Sequence, residues 1–325
     1  MCVLLIFIFL LISLFPRLVQ ARWSFTPRIF AEQQYDDNIF VTETDEQDDF
    51  ATVIGPGISF GYESPTALVE LEYQYRRFFY YDFTDLDYDD HLGTLEARKD
   101  FPPMFSAGVR NRFTRSEDPI ELPGGQEFER ASIREGERNT YTRNIVEPEV
   151  TFRFDKESSL MLGYRNRILR NNADDEADQD EHAGNALLTY RLNIHNEVQL
   201  YYEHLDVEYD QTDPPQLPRD FKADVTRGRY TYYFSPRTSV FAEYRYVNKD
   251  LDQENPDFFD YEVHNPRVGF SRDLYEKLNL TVSGGYAARK ADDRDDEEIF
   301  TGRLDFSGEY KSLNATVYGE RGFYD

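Results

Sequence analysis

Alternation of apolar and polar positions runs through most of the chain, and Arg229 to Val247 shows it best. Tyr230, Tyr232 and Phe234 alternate with Arg229, Thr231 and Tyr233. Ser235-Pro236-Arg237 follows, and then Val240, Ala242, Tyr244 and Tyr246 alternate with Phe241, Glu243, Arg245 and Val247. Side chains on a strand point to opposite faces with period two. Each strand so predicted has one apolar, tyrosine-rich face and one mixed face that carries most of the charge. The proline falls between the strands, where its missing N–H breaks no ladder bond. The unit is a hairpin with a short turn.

The unit recurs. Short breaks stand near residues 65, 103, 157, 195, 236, 277 and 312. Strands are predicted over 28–41, 50–62, 66–81, 91–101, 104–115, 140–154, 159–170, 182–192, 197–209, 222–234, 238–249, 260–272, 278–289, 298–310 and 313–323. Alternation is poor in 91–101 and 197–209. Strands of soluble proteins usually run ~5–6 residues, whereas a tilted membrane crossing takes ~9–11. The longer connections are Thr42–Asp49, Asp82–Asp90, Glu117–Arg138, Asn171–Glu181, Gln211–Phe221, Asp250–Asp257 and Ala291–Glu297. Short turns at one end and long loops at the other are the layout of an outer-membrane barrel. So many long strands also argue for closure, because open twisted sheets rarely exceed ~10 strands. The expected fold is an all-β, transmembrane, antiparallel up-and-down barrel of about 14–16 strands. An odd count and an end at Phe323-Tyr324-Asp325 raise the expectation of a truncated product lacking a closing strand. Alternatively, 28–41 is periplasmic and fourteen strands close.

Residues 2 to 15 form an uncharged apolar run, followed by Val19-Gln20-Ala21. The run is short for a spanning helix, and a cleaved secretory signal over residues 1–21 is expected. The barrel then occupies 22–325. Cys2, the only cysteine, lies in that signal, so the mature chain can form no internal disulfide. Mean hydropathy is −0.70, which excludes a helical membrane protein but not a barrel. Once Arg17 is removed, 35 basic side chains face 62 acidic ones, a net charge of −27. That sign excludes a nucleic-acid partner.

Tyr35, Asp37, Asn38, Ile39 and Phe40 match an early Tyr-x-Asp-Asn-Ile-Phe motif. In this the chain resembles a family of outer-membrane β-barrel porins of Gram-negative bacteria associated with exopolysaccharide and exosortase gene clusters. The resemblance implies location and architecture, and a role as a porin-like channel or an outer-membrane component of exopolysaccharide export. No firm biochemical activity is assigned to that family.

Parity sends Glu70, Glu72, Arg76, Arg153, Arg165, Arg167, Arg229, Glu243, Arg245, Arg303 and Asp305 toward the interior as pore-lining candidates. Such arginines and carboxylates can select solutes, or they can form ionic ladders in a filled barrel that conducts nothing. Inward Phe241 and Tyr233 can stack on sugar rings or fill space. Acidic loops around Asp45–Asp49, Asp174–Glu181 and Asp292–Glu298 suit Ca²⁺ or Mg²⁺ bridging to lipopolysaccharide. None has the EF-hand pattern, and they read more simply as solvated loops, so no metal site or cofactor is expected. Expected partners are outer-membrane lipid and lipopolysaccharide, the outer-membrane assembly machinery, and polysaccharide or small solutes. His91, His182, His195 and His264 read as interfacial. His204, on the face of Val198, Leu200 and Tyr202, is the best-placed residue for a membrane-embedded hydrolase, but no Gly-x-Ser-x-Gly lies near it. The chain is therefore expected not to be an enzyme. A non-conducting adhesive barrel is the main rival to the channel.

Overall fold

In the computed structural model the chain forms a single antiparallel meander. The structure describes residues 21–40, 44, 46–117, 120–121, 132–133, 139–173, 177–210, 220–251, 260–275, 278–291, 296–310 and 313–321. The strands are β1 (Arg22–Asp36), β2 (Asp49–Ser64), β3 (Ala67–Tyr80), β4 (Tyr88–Phe101), β5 (Phe105–Ser116), β6 (Ile120–Glu121), β7 (Ser132–Ile133), β8 (Tyr141–Arg153), β9 (Ser159–Asn171), β10 (Gln179–Asn193), β11 (Asn196–Tyr209), β12 (Phe221–Ser235), β13 (Thr238–Leu251), β14 (Tyr261–Tyr275), β15 (Leu278–Ala291), β16 (Glu297–Tyr310) and β17 (Leu313–Arg321). All but β6 and β7 join one 15-stranded sheet in sequence order. Among the described residues no ladder joins β1 to β17. Among the described residues the short turns after β2, β4, β8, β10 and β12 lie at one end of the strands, as expected.

Side-chain oxygens close the turns by satisfying backbone N–H groups that the ladder leaves over. Asp155 accepts from the N–H groups of Glu157 and Ser158, both at 2.8 Å. Asn193 accepts from His195 N–H at 2.9 Å and from the Asn196 amide at 2.8 Å. Register shifts just before the turns, between Arg191 and Asn193, Tyr233 and Ser235, and Asp273 and Tyr275.

Most strand ends shift by up to three residues, and two features depart further from expectation. The first strand is Arg22–Asp36, so Asp37–Phe40 leave it and only Tyr35 of the motif is in a strand. Ile39 is fully buried against Ala51, Val53, Phe78, Tyr80 and Tyr88, with Phe40, Phe83 and Leu86 packed on the cluster. An apolar Ile-Phe pair gains more by folding in than by extending β1. The pair β6–β7, inside the connection Glu117–Arg138, is unanticipated. Most of the signal segment, residues 45, 174–176 and 292–295 of the acidic loops, and Phe323–Asp325 lie outside the described residues. Two carboxylates expected in solvated loops are instead buried: Asp49 accepts from the N–H groups of Asp82 and Phe83, and Glu181 lies in β10.

The two faces of the sheet are not equally covered. Arg165 and Glu243 are 7% and 8% exposed, whereas Leu200 and Phe300 on the other face are 51% and 65% exposed. A flat sheet would expose both faces alike. The sheet therefore curls around its charged face and turns its aromatic face outward, as in a membrane barrel.

Candidate functional site

Charge on the shielded face is organised by register. Ladder pairs bring Glu96, Arg110 and Glu147 into one row of alternating sign across β4, β5 and β8, and the β8–β9 register carries Arg165 to the next place in it. Arg112 and Arg110 approach Glu147 at 3.5 and 3.9 Å. Arg165 meets Glu181 at 2.5 Å and Glu203 at 3.8 Å, and Arg167 meets Glu181 at 3.8 Å. Further round, Arg267 and Arg229 flank Glu243 at 2.7 and 3.9 Å. Near the turns, Arg191 pairs with Glu197 at 3.2 Å. Charges this shielded from water persist only when paired, and the network supplies partners of both signs.

Every residue expected on this face lies at an inward register position. Glu72 pairs with Arg28 at 3.0 Å, Arg76 pairs with Asp90, and Arg153 lies 3.8 Å from Asp100. Arg303 pairs with Asp305 at 2.6 Å. Glu70 stands opposite Glu96, and Arg245 opposite Arg227. Expectation did not include Asp90, Glu147, Glu181, Glu203 and Arg267, which complete the pairs. Parity was available for Glu147, Glu203 and Arg267, but their partners depend on register between strands. Asp90 and Glu181 were expected in connections, and the strands reach further and take them in.

The inward aromatics are not free platforms. The Arg229 guanidinium lies 3.6 Å from the Phe241 ring centroid, Arg191 lies 3.9 Å from Tyr233, and Arg227 lies 5.3 Å from Tyr201. The other side of Phe241 is taken by Gly269, where an added Cβ would sit 2.2 Å from the ring. The cation–π contacts hold these rings against the wall. Open space remains beside them. A cavity of about 370 Å³ is lined by Arg98, Arg110, Glu147, Glu149, Arg165, Asn185, Tyr201 and Glu203 among others. A second, of about 250 Å³, is lined by Glu197, Arg229, Tyr233 and Asp273 among others.

Toward the loops the faces exchange character. On β11 the outward residues run Val198, Leu200, Tyr202, His204, Asp206, while the inward ones end in Leu205 and Val207. Leu205 and Val207 join Ala183, Phe221 and Ala223 in a buried cluster, and Val225, Val247, Tyr261, Val263 and Ala287 form another. A collar of hydrogen-bonded pairs marks the change. Tyr73, Tyr164 and Tyr244 reach Nδ1 of His91, His182 and His264 at 2.7, 2.6 and 2.7 Å. Tyr202 donates to Asp224 at 2.6 Å, and His204 Nδ1 lies 3.0 Å from the same carboxylate. On β10 the outward stretch from His182 to Leu192 matches the ~9–11 residues of a tilted crossing. Amphipathic Tyr and His at its border fit an interfacial girdle.

Asp224 orients His204 as a carboxylate orients a catalytic imidazole. Among the described residues no serine or cysteine hydrogen-bonds to that ring, whose partner is the Asp224 carboxylate.

No family model matches the sequence, and no curated protein does. The fold is similar to that of a chain in the FpvAI–pyocin S2 complex, with a TM-score of 0.51 and 10% identity over 93% of this chain and 53% of that one. The chain thus spans about half the length of that protein. Two more distant likenesses are a bacterial polysaccharide outer membrane secretin (TM-score 0.45, 11% identity, 90% and 99% covered) and OccAB4 of Acinetobacter baumannii (0.40, 11%, 93% and 94%). At such identities the likeness speaks for fold alone, that of an outer-membrane β-barrel.

Proposed function

We propose that the chain is an outer-membrane barrel that lets polar solutes pass along its charged face, in the manner of a porin. One observation carries this reading: a shielded face of interlocked arginines and carboxylates, with open cavities beside it, backs an outward face that is apolar up to a Tyr–His collar. The lateral pairing of charges sets a transverse field that a dipolar or charged solute would sense. Between the two roles that the motif's resemblance implies, the geometry favours the porin-like one over exopolysaccharide export. A sugar polymer would need exposed rings to glide on, and arginines already cover Phe241, Tyr233 and Tyr201.

A second reading, the non-conducting barrel, draws on Ile39 and Phe40, which fold onto the shielded face at the loop end with Phe83 and Leu86. Liposome swelling separates the two. The channel reading expects protein-dependent uptake of small neutral sugars into vesicles and little uptake of long oligosaccharides. Vesicles that stay sealed with folded, inserted protein would leave the structural reading.

A further inference from the structure

At its turn end the shielded face holds a pocket whose donors are not used up by the charge network. The cavity of about 250 Å³ lies over inward residues of β11 to β14, beside the turn at Pro236 and Arg237. At ~30 Å³ per water it has room for about eight waters, or for one small solute.

The lining is almost wholly polar. Thr231 and Ser239 line it and are 5% and 8% exposed. Neither hydroxyl has a hydrogen-bond partner among the described residues. Buried side-chain oxygens are nearly always bonded. Ser271 makes the contrast. It stands opposite Ser239 in the β13–β14 ladder and lines the same cavity, but its hydroxyl is joined to that of Thr281 at 2.9 Å.

The charged groups around these hydroxyls keep capacity mainly of one sign. Glu197 is taken: Arg191 lies at 3.2 Å, and Gln199 and Tyr233 donate to it at 3.1 and 3.4 Å. Arg229 comes no nearer a carboxylate than 3.9 Å, at Glu243, which Arg267 already holds at 2.7 Å. The exposed Arg237 guanidinium meets no carboxylate among the described residues. Asp273 gives one oxygen to the Asn279 amide at 2.8 Å and keeps the other. The pocket thus offers two guanidiniums and two hydroxyls as donors, and one carboxylate oxygen as acceptor. Such donors call for an oxyanion. The acceptor calls for an O–H on the same solute. Two cations against one unspent carboxylate suit a monoanion.

We propose that this pocket binds a small hydroxy-carboxylate. Arg229, Arg237 and the hydroxyls of Thr231 and Ser239 hold its carboxylate, and its own hydroxyl donates to Asp273. Binding needs only that water reaches the turn end of the shielded face, so the pocket goes beyond the passage of solutes and does not depend on it.

Isothermal titration calorimetry of the folded mature chain in mild detergent and low salt tests this, with glycerate as the probe and glycerol as its uncharged counterpart. Arg237→Gln removes an exposed guanidinium, and Thr231→Val removes a buried hydroxyl at nearly constant shape. Arg272→Gln is the control, because Arg272 stands beside the same turn on the outward face. The expected result is one saturable site for glycerate and none for glycerol. Affinity should fall about tenfold in Arg237→Gln and severalfold in Thr231→Val, and stay unchanged in Arg272→Gln. No saturable binding to folded protein, equal binding of glycerol, or equal weakening by Arg272→Gln would overturn the proposal. Liposome swelling keeps it distinct from the channel reading. Vesicles that admit neutral sugars while glycerate fails to bind would remove the pocket and leave the channel. Sealed vesicles with glycerate bound would remove the channel and leave the pocket.

Discussion

Glu243 shows what a single side chain does in this wall. It is buried between Arg267 and Arg229, and the two guanidiniums share its charge. Glu243→Gln keeps the shape and removes the carboxylate that both guanidiniums approach. Breaking such a pair costs about 3–5 kcal/mol, and urea unfolding of the barrel in lipid vesicles should show a loss of that order. Unchanged stability would mean that water screens the pair. Asp155 works differently, out in the turn between β8 and β9. The backbone N–H of Glu157 first, then the Ser158 side chain and N–H, hold its carboxyl below the ordinary carboxylate value. A depressed folded value means the turn gains stability above the ordinary value and loses it as pH falls through the lowered one. Amide exchange at Glu157 and Ser158 should therefore accelerate only in acid, and Asp155→Asn should abolish that pH dependence. Parity alone places Arg165 and Glu243 on the correct face. It does not name Glu181 or Arg267 as their partners, because a partner on the next strand depends on a register that no local pattern records. The Tyr35–Phe40 motif is legible as a motif, but its inward fold is set by Ile39 finding a pocket among residues up to Tyr88.

At the scale of the strand, length and turn chemistry make the elements readable. Fourteen of the expected strands survive with shifts of a few residues, and the first moves toward the amino terminus. The segment 197–209 looked irregular for a physical reason. Its outward positions turn from apolar to charged at His204, while its inward ones turn from charged to apolar at Leu205. One period-two pattern is thus replaced by its inverse within a single strand, where the wall leaves the hydrocarbon. Neighbouring residues of β10 test the face assignment. Leu188 faces outward opposite Leu200, and Thr189 faces inward opposite Gln199. Leu188→Arg should cost about 2–4 kcal/mol in urea unfolding from vesicles, the cost of a cation at the lipid midplane. Thr189→Arg should cost far less. Equal costs would mean that the aromatic face does not meet lipid.

Across the whole molecule, the acidic balance and the curled sheet combine. The net charge is −26 over the full sequence, and acidic residues are dense in the longer connections at one end of the sheet. Arginines are dense on the shielded face, so a solute would meet carboxylates first and paired charges afterwards. Fold class was legible because strand length and alternation are local. Function is less so, because the path of a solute depends on side chains brought together from many of the fifteen strands. Single-channel conductance of the refolded protein in planar bilayers tests the central claim most directly. The account predicts stable ion-selective steps whose selectivity shifts toward cations when Arg245 and Arg303 are replaced by glutamine. Silence from protein shown to be folded and inserted would contradict it.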